Sequence, residues 1–396
     1  MLKNLTLICL INFLIAALMG LAMRYNFINP IGVNYRFLTH AHSHIAMLGW
    51  VYLMLFTFII HYFIPDKRPI YNRLFWLTEF SVIGMMVSFP IQGYALISIS
   101  FSTLHIFCSY YFVYLIFKNL KTKSIVTNNL IRASLLFMLI STIGVWCLGP
   151  AVSMLGQAST FYQIAIQFFL HFQFNGWFLI AVVALFFHLL NIKNSNLFQK
   201  FFKLLIISTI LTFALPVYWF LPYKVLLWIN GFGVILQSVA LFQFLKLIKP
   251  ELPSILKQHS TLTIHIFNFA IFCFSLKIGV QLLSLIPKIS KVAFQHHNIV
   301  IGFIHLTMLG VITGFLFSYI LRTQLVSQNK VLSFGIYSFI LGFILTETLL
   351  IVQGSSFYFG SGLIPNYYLL LFIASCLLPL GILCIAYNIY QTPRKV

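Results

Sequence analysis

Acidic residues are almost missing from this chain. Its 396 residues include four Asp and Glu in all (Asp66, Glu79, Glu251 and Glu347), against 24 Lys and Arg, for a formal net charge of +20. So few carboxylates exclude a carboxylate-rich metal cage and a two-carboxylate hydrolytic site. Charge of either sign is scarce, at 7% of residues, while 61% are hydrophobic and the mean hydropathy is +1.00. Such a chain does not fold in water and reads as a polytopic membrane protein. The six cysteines (Cys9, Cys108, Cys147, Cys273, Cys376 and Cys384) all fall in apolar runs and form no CxxC pair. That excludes a disulfide framework and a zinc ribbon, and the lack of CxxCH excludes covalent haem attachment. Also absent is a basic patch interleaved with aromatics, so the positive charge does not point to nucleic acid. The basic residues sit between apolar runs, where they set orientation and meet anionic lipid headgroups.

What remains is a series of apolar runs. About 20 such residues cross the hydrocarbon core as a helix, and twelve runs qualify, near 4–23, 38–62, 74–92, 95–117, 132–151, 159–190, 202–220, 223–245, 262–286, 299–321, 331–353 and 366–390. The connections are short and no soluble domain is recognisable. The expectation is one all-α, twelve-transmembrane-helix bundle over residues 1–396. Lys3 ahead of an apolar stretch resembles a signal peptide, but the run is long and no small-x-small cleavage site follows, so it is read as the first span. With both termini in the cytoplasm, only Arg24, Arg36, Lys224, Lys288 and Lys291 fall outside, and Lys277 stays within a span. This is a strong positive-inside bias. Short loops and no transit peptide favour a bacterial inner (plasma) membrane.

The topology sorts the twelve histidines. His61, His188, His259 and His265 fall near cytoplasmic ends, where polar tips are favoured. The others lie deeper: His40, His42 and His44 on the second run, His105 on the fourth, His171 on the sixth, and His296, His297 and His305 on or before the tenth. An intramembrane His needs a partner in the bundle interior, and neutral imidazole is the commonest metal ligand. The second run reads His44-Ile-Ala-Met-Leu-Gly49 and the tenth His305-Leu-Thr-Met-Leu-Gly310. Both run from outside to inside, so the two imidazoles sit at similar depth and could clamp one haem iron as axial ligands. A Gly five residues on would let a flat group approach the backbone. Chance similarity between two Leu-rich helices packing through glycine is the competing reading. At about 100° per residue His40 and His44 share a face while His42 points the other way.

Gln163, Gln167, His171 and Asn175 follow one another at i, i+4 spacing on the sixth run, a polar stripe that must face protein or water. It either lines a cavity with His171 as a metal ligand or hydrogen-bonds to neighbouring helices. Lys277 and Glu347 are two further buried ionisable residues, suited to a proton path, a structural hydrogen bond or a mutual ion pair.

Twelve spans with histidines on the second, sixth and tenth resemble subunit I of the haem-copper oxidases and nitric oxide reductases. The resemblance implies a non-covalent b-type haem on His44 and His305, with copper or non-haem iron at a second site that draws on His171. It also implies a redox partner protein or small membrane subunits. The seventh run has no histidine and the tenth lacks the family's HxH, so a standard binuclear centre is not expected. His40, His42 or His297 could substitute. The stretch His42-Ser-His44-Ile-Ala-Met-Leu-Gly49-Trp50 is similar to the HxHxxxxG-aromatic stretch of NnrS proteins, haem-containing membrane relatives linked to nitric oxide stress. The expected function is accordingly haem binding in respiratory electron transfer or nitric oxide metabolism. The alternative is a multi-pass transporter of metal ions or small solutes that uses the same histidines.

Overall fold

The computed structural model describes residues 2–253, 260–323 and 325–393, apart from the side chain of residue 293. His259, expected near a cytoplasmic end, lies outside the described residues. The chain is 84% helical, with no strand among the described residues. Among the described residues, twelve helices are long and apolar enough to cross a membrane: α1 Leu2–Tyr25, α2 Tyr35–Phe63, α3 Pro69–Gln92, α4 Leu96–Asn119, α5 Ile125–Leu155, α6 Thr160–Leu189, α7 Asn196–Tyr218, α8 Lys224–Glu251, α9 Thr261–Leu283, α10 His297–Arg322, α11 Lys330–Tyr358 and α12 Tyr367–Gln391. The protein is a multi-pass membrane protein, and each apolar run corresponds to one helix. The helices begin where a polar side chain caps them. Asn34, Ser124, Ser159, Ser195, Ser260 and Asn329 each accept from a backbone N–H three residues on, which satisfies a donor the helix itself leaves orphaned. Capping explains why α5 starts at Ile125 rather than near 132. Its first turns are polar, invisible to hydropathy, but Ser124 holds them in helix.

The chain divides into two compact units, residues 1–121 with 316–396, and residues 122–315. In the first unit an aromatic cluster ties four helices together. Phe13 of α1 stacks on Trp50 of α2 at 4.7 Å and meets Phe339 of α11 at 6.0 Å, and Phe339 lies 5.0 Å from Phe317 of α10. Close approach of α11 and α12 depends on small residues: a Cβ on Gly335 would stand 3.0 Å from the Gly381 carbonyl, a familiar membrane packing device. In the second unit Phe186 of α6 is the hub, 4.9 Å from Phe267 of α9 and 4.8 Å from Phe315 of α10. Phe187 stacks on Phe244 of α8 at 5.5 Å.

One face of the first unit gathers both ends of the sequence and three connections. Lys3 Nζ donates to the carbonyls of Tyr390 at 2.9 Å and Thr392 at 2.6 Å. Asn388 Nδ2 donates to the Ser327 carbonyl in the α10–α11 connection, and the Lys121 N–H after α4 donates to the Phe63 carbonyl at the end of α2. Lys67, Arg68, Lys118, Lys121 and Lys330 lie in or beside these connections, so this is a basic face. There Arg68 pairs with Asp66 at 2.7 Å, which raises the Arg68 pKa.

Burial ranks the spans. In α2 and in α6, 83% of the most apolar stretch is buried, and in α10 61%, whereas the others range from 28% to 50%. These three interior helices carry His44, His171 and His305.

Candidate functional site

Each of the three interior helices changes geometry directly after its histidine. A π-helical segment spans Ile45–Tyr52 after His44, Phe172–Phe178 after His171 and Leu306–Thr313 after His305. π segments, with i→i+5 hydrogen bonds, are rare and concentrate at functional sites. The local sequence repeats in all three. The echo between α2 and α10 has a third copy in α6, His171-Phe-Gln-Phe-Asn-Gly176-Trp177, so each histidine is followed five residues later by a glycine inside the π segment. Sequence reading missed this copy because Phe-Gln-Phe-Asn stands where the others have Ile-Ala-Met-Leu and Leu-Thr-Met-Leu. The spacing His-x4-Gly, with Trp after the glycine in α2 and α6, was the signal that could have found it.

In the first unit His44 is half-buried. Its Nδ1 lies 2.8 Å from the His40 carbonyl, which can only accept, so the ring's proton is on Nδ1. The lone pair of the neutral ring is then on Nε2, the arrangement usual for a metal-ligating imidazole. Nε2 accepts from the Tyr94 hydroxyl at 3.3 Å, and the ring packs on Phe89 at 4.5 Å. Tyr94 reaches this place through the α3–α4 turn. There Gly93 has φ +60°, and a Cβ on it would strike Phe37 at 2.4 Å, so backbone and packing both require glycine. His40 joins the same group, 4.6 Å from Tyr94. His42 points the other way, as its helical position requires. Its Nδ1 donates to the Ala16 carbonyl of α1 at 2.7 Å, and its ring covers Gly20. His105 of α4 is a further buried histidine, 4.7 Å from Tyr52, and its Nε2 has no hydrogen-bond partner among the described residues.

The glycines have a different role from the one expected. A Cβ at Gly49 would lie 2.9 Å from Val82 Cγ1 of α3 and 3.0 Å from Asn12 Cβ of α1, and one at Gly176 would lie 2.6 Å from Phe137 Cβ of α5. The space beside both is filled by neighbouring helices rather than left open to a flat group. Here glycine lets the interior helix and its neighbours approach. Gly310 holds the matching place in α10 and is buried.

In the second unit the polar stripe on α6 is engaged by hydrogen bonds to protein. Gln163 turns to the Gln157 carbonyl at 3.0 Å. His171 Nε2 donates to the Thr209 carbonyl of α7 at 2.8 Å, with Asn175 Nδ2 3.5 Å from its Nδ1. This bond ties α6 to α7 and leaves the lone pair of the neutral His171 ring on Nδ1, beside the Asn175 amide. Lys277 of α9 is fully buried, with Nζ 2.9 Å from Gln281 Oε1 and 5.4 Å from the Phe303 ring centre. His297 is exposed at the first turn of α10, and His305 is half-buried directly before its π segment.

The donor chemistry at His44 would suit a haem-iron ligand: its ring is held through Nδ1, and Nε2 carries the lone pair that now accepts from the Tyr94 hydroxyl. Among the described residues no three His, Cys, Asp or Glu side chains stand together as a metal site. No known family model matches the chain, and no curated protein matches it.

Proposed function

We propose that this chain is a haem-binding multi-pass membrane protein of respiratory electron transfer or nitric oxide metabolism, with His44 and His305 supplying imidazole to haem iron. The observation that carries this reading is the threefold recurrence, on the three interior helices, of a histidine that opens a π segment with glycine five residues on. The resemblance of His42, His44, Gly49, Trp50, His171 and His305 to haem-copper oxidase subunit I and to NnrS proteins supports the same reading. A bound haem would supply a one-electron carrier or a gas-binding iron. The chain's own residues hold and orient: the His40 carbonyl fixes the His44 ring, and Phe89 packs beside it. With no histidine on the seventh span and no HxH on the tenth, electron transfer or gas binding is favoured over oxygen reduction at a haem-copper pair. The basic face is assigned to the cytoplasm, and the membrane to the inner (plasma) membrane of a bacterium. The surroundings are the lipid bilayer and a redox partner protein or small membrane subunits, without nucleic acid.

The test is a visible spectrum of the purified protein, oxidised and dithionite-reduced. Sharp reduced α and β bands are expected, and His44→Ala or His305→Ala should each abolish them in a folded protein. The haem content per chain then tells whether the two imidazoles serve one iron. A colourless protein, expressed with ample haem, would sink this reading and leave transport through the intramembrane histidines as the leading one.

A further inference from the structure

One carboxyl group is held in the middle of the first unit. Glu79 is eleventh of the 24 residues of α3 and 4% exposed. Its Oε2 accepts from Asn12 Nδ2 of α1 at 2.8 Å, and the same amide donates to the Gly49 carbonyl of α2 at 3.2 Å. Ionisable groups at membrane depth are costly and mark functional sites, proton relays among them. Cys9 of α1 is the titratable group in electrostatic reach of Glu79. Asn12 is the side chain bonded to it, α2 offers the Gly49 carbonyl, and among the described residues no cation on α1, α2, α3 or α4 acts on it.

A polar line runs from Glu79 toward the basic face. Asn12, Cys9 and Thr6 follow at i, i−3 steps, which keeps them on one side of α1, and all three are buried. Thr57 of α2 stands beside Cys9, and its hydroxyl donates to the Leu53 carbonyl of its own helix at 2.7 Å. Thr6 Oγ1 is buried with no hydrogen-bond partner among the described residues. Thr57 also lines a cavity of about 10 Å³, together with Leu2, Leu5, His61 and Tyr71, at the end of the helices where the chain termini meet. That volume is about what one water needs.

We propose that Glu79 is a proton-exchange site, reached from the basic face through the cavity lined by His61 and Thr57 and along the Thr6, Cys9 and Asn12 side of α1. The Glu79 O–H bond breaks as its proton passes to water entering by that route, leaving a carboxylate held by the Asn12 amide. Reprotonation reverses the step, and no electron moves. The proposal stands independently of the haem reading.

The experiment is infrared spectroscopy of the full chain in lipid nanodiscs on transfer from H2O to D2O, repeated across a pH series. A protonated-carboxyl band is expected that shifts in D2O, disappears in Glu79→Gln and persists in Glu347→Gln. Thr57→Val should slow that shift by about tenfold or more, while Thr57→Ser, which keeps the hydroxyl, exchanges at the parent rate. If Glu79→Gln does not fold, Glu79→Asp should move the band instead. The proposal is overturned if no pH yields a carboxyl band that responds to Glu79 substitution. It is equally overturned if Thr57→Val exchanges at the parent rate, or if Thr57→Ser slows as much as Thr57→Val.

Discussion

Substituting alanine for single glycines in the interior helices tests whether those glycines serve packing or make room for a cofactor. A Cβ at Gly176 would sit 2.6 Å from Phe137 Cβ, an atom fixed to the α5 backbone, and a Cβ at Gly49 would sit 2.9 Å from Val82 Cγ1 and 3.0 Å from Asn12 Cβ. Overpacking of this kind costs about 1–3 kcal/mol. Replacing glycine in a helix returns roughly 0.5–1 kcal/mol. The net expectation is a loss of about 2 kcal/mol for Gly176→Ala and about 1 kcal/mol for Gly49→Ala. Gly279→Ala is the control, because nothing lies within 4 Å of a Cβ there, and it should gain roughly 0.5 kcal/mol. Unfolding by SDS titration in mixed micelles, followed by circular dichroism, ranks the three. If Gly49→Ala proved as stable as the parent while losing its chromophore, the packing argument would be refuted and the glycine would belong to the cofactor.

Other substitutions follow from the same contacts. Asn12→Ala leaves the Glu79 carboxyl and the Gly49 carbonyl without their shared donor. Because a chain unfolded within the membrane also finds partners, the loss should be about 1–2 kcal/mol, and an unchanged SDS midpoint would refute it. Phe13→Ala removes the ring stacked on Trp50 and touching Phe339, for a loss of about 3–5 kcal/mol in the same titration. Lys277→Met replaces a fully buried ammonium with an apolar chain of similar length. Stability should hold or rise by about 1–4 kcal/mol, and a clear loss would show that Gln281 and Phe303 offset the desolvation of Lys277.

The sequence alone determined that this protein crosses the membrane twelve times. It takes about 20 apolar residues to span the hydrocarbon, and the spacing of the runs admits few alternatives. It also placed His40 and His44 on one face of α2 and His42 on the other, because helical periodicity follows from residue number. It could not tell which spans are interior. A membrane helix such as α11 is apolar all round, so its buried Phe339 and Phe343 look no different in composition from its exposed Phe334 and Leu341. Only packing separates them. Nor could the sequence announce the π segments, whose hydrogen-bond shift leaves no periodic mark, or the commitment of His171 to the Thr209 carbonyl, which depends on where α7 comes to lie. Glu79 was visible as one of four acids, yet its partner lies 67 residues away on α1. Hydropathy scores each residue against lipid, whereas the pairing of buried polar groups is set by which helices meet, and that is decided by shape complementarity across the fold.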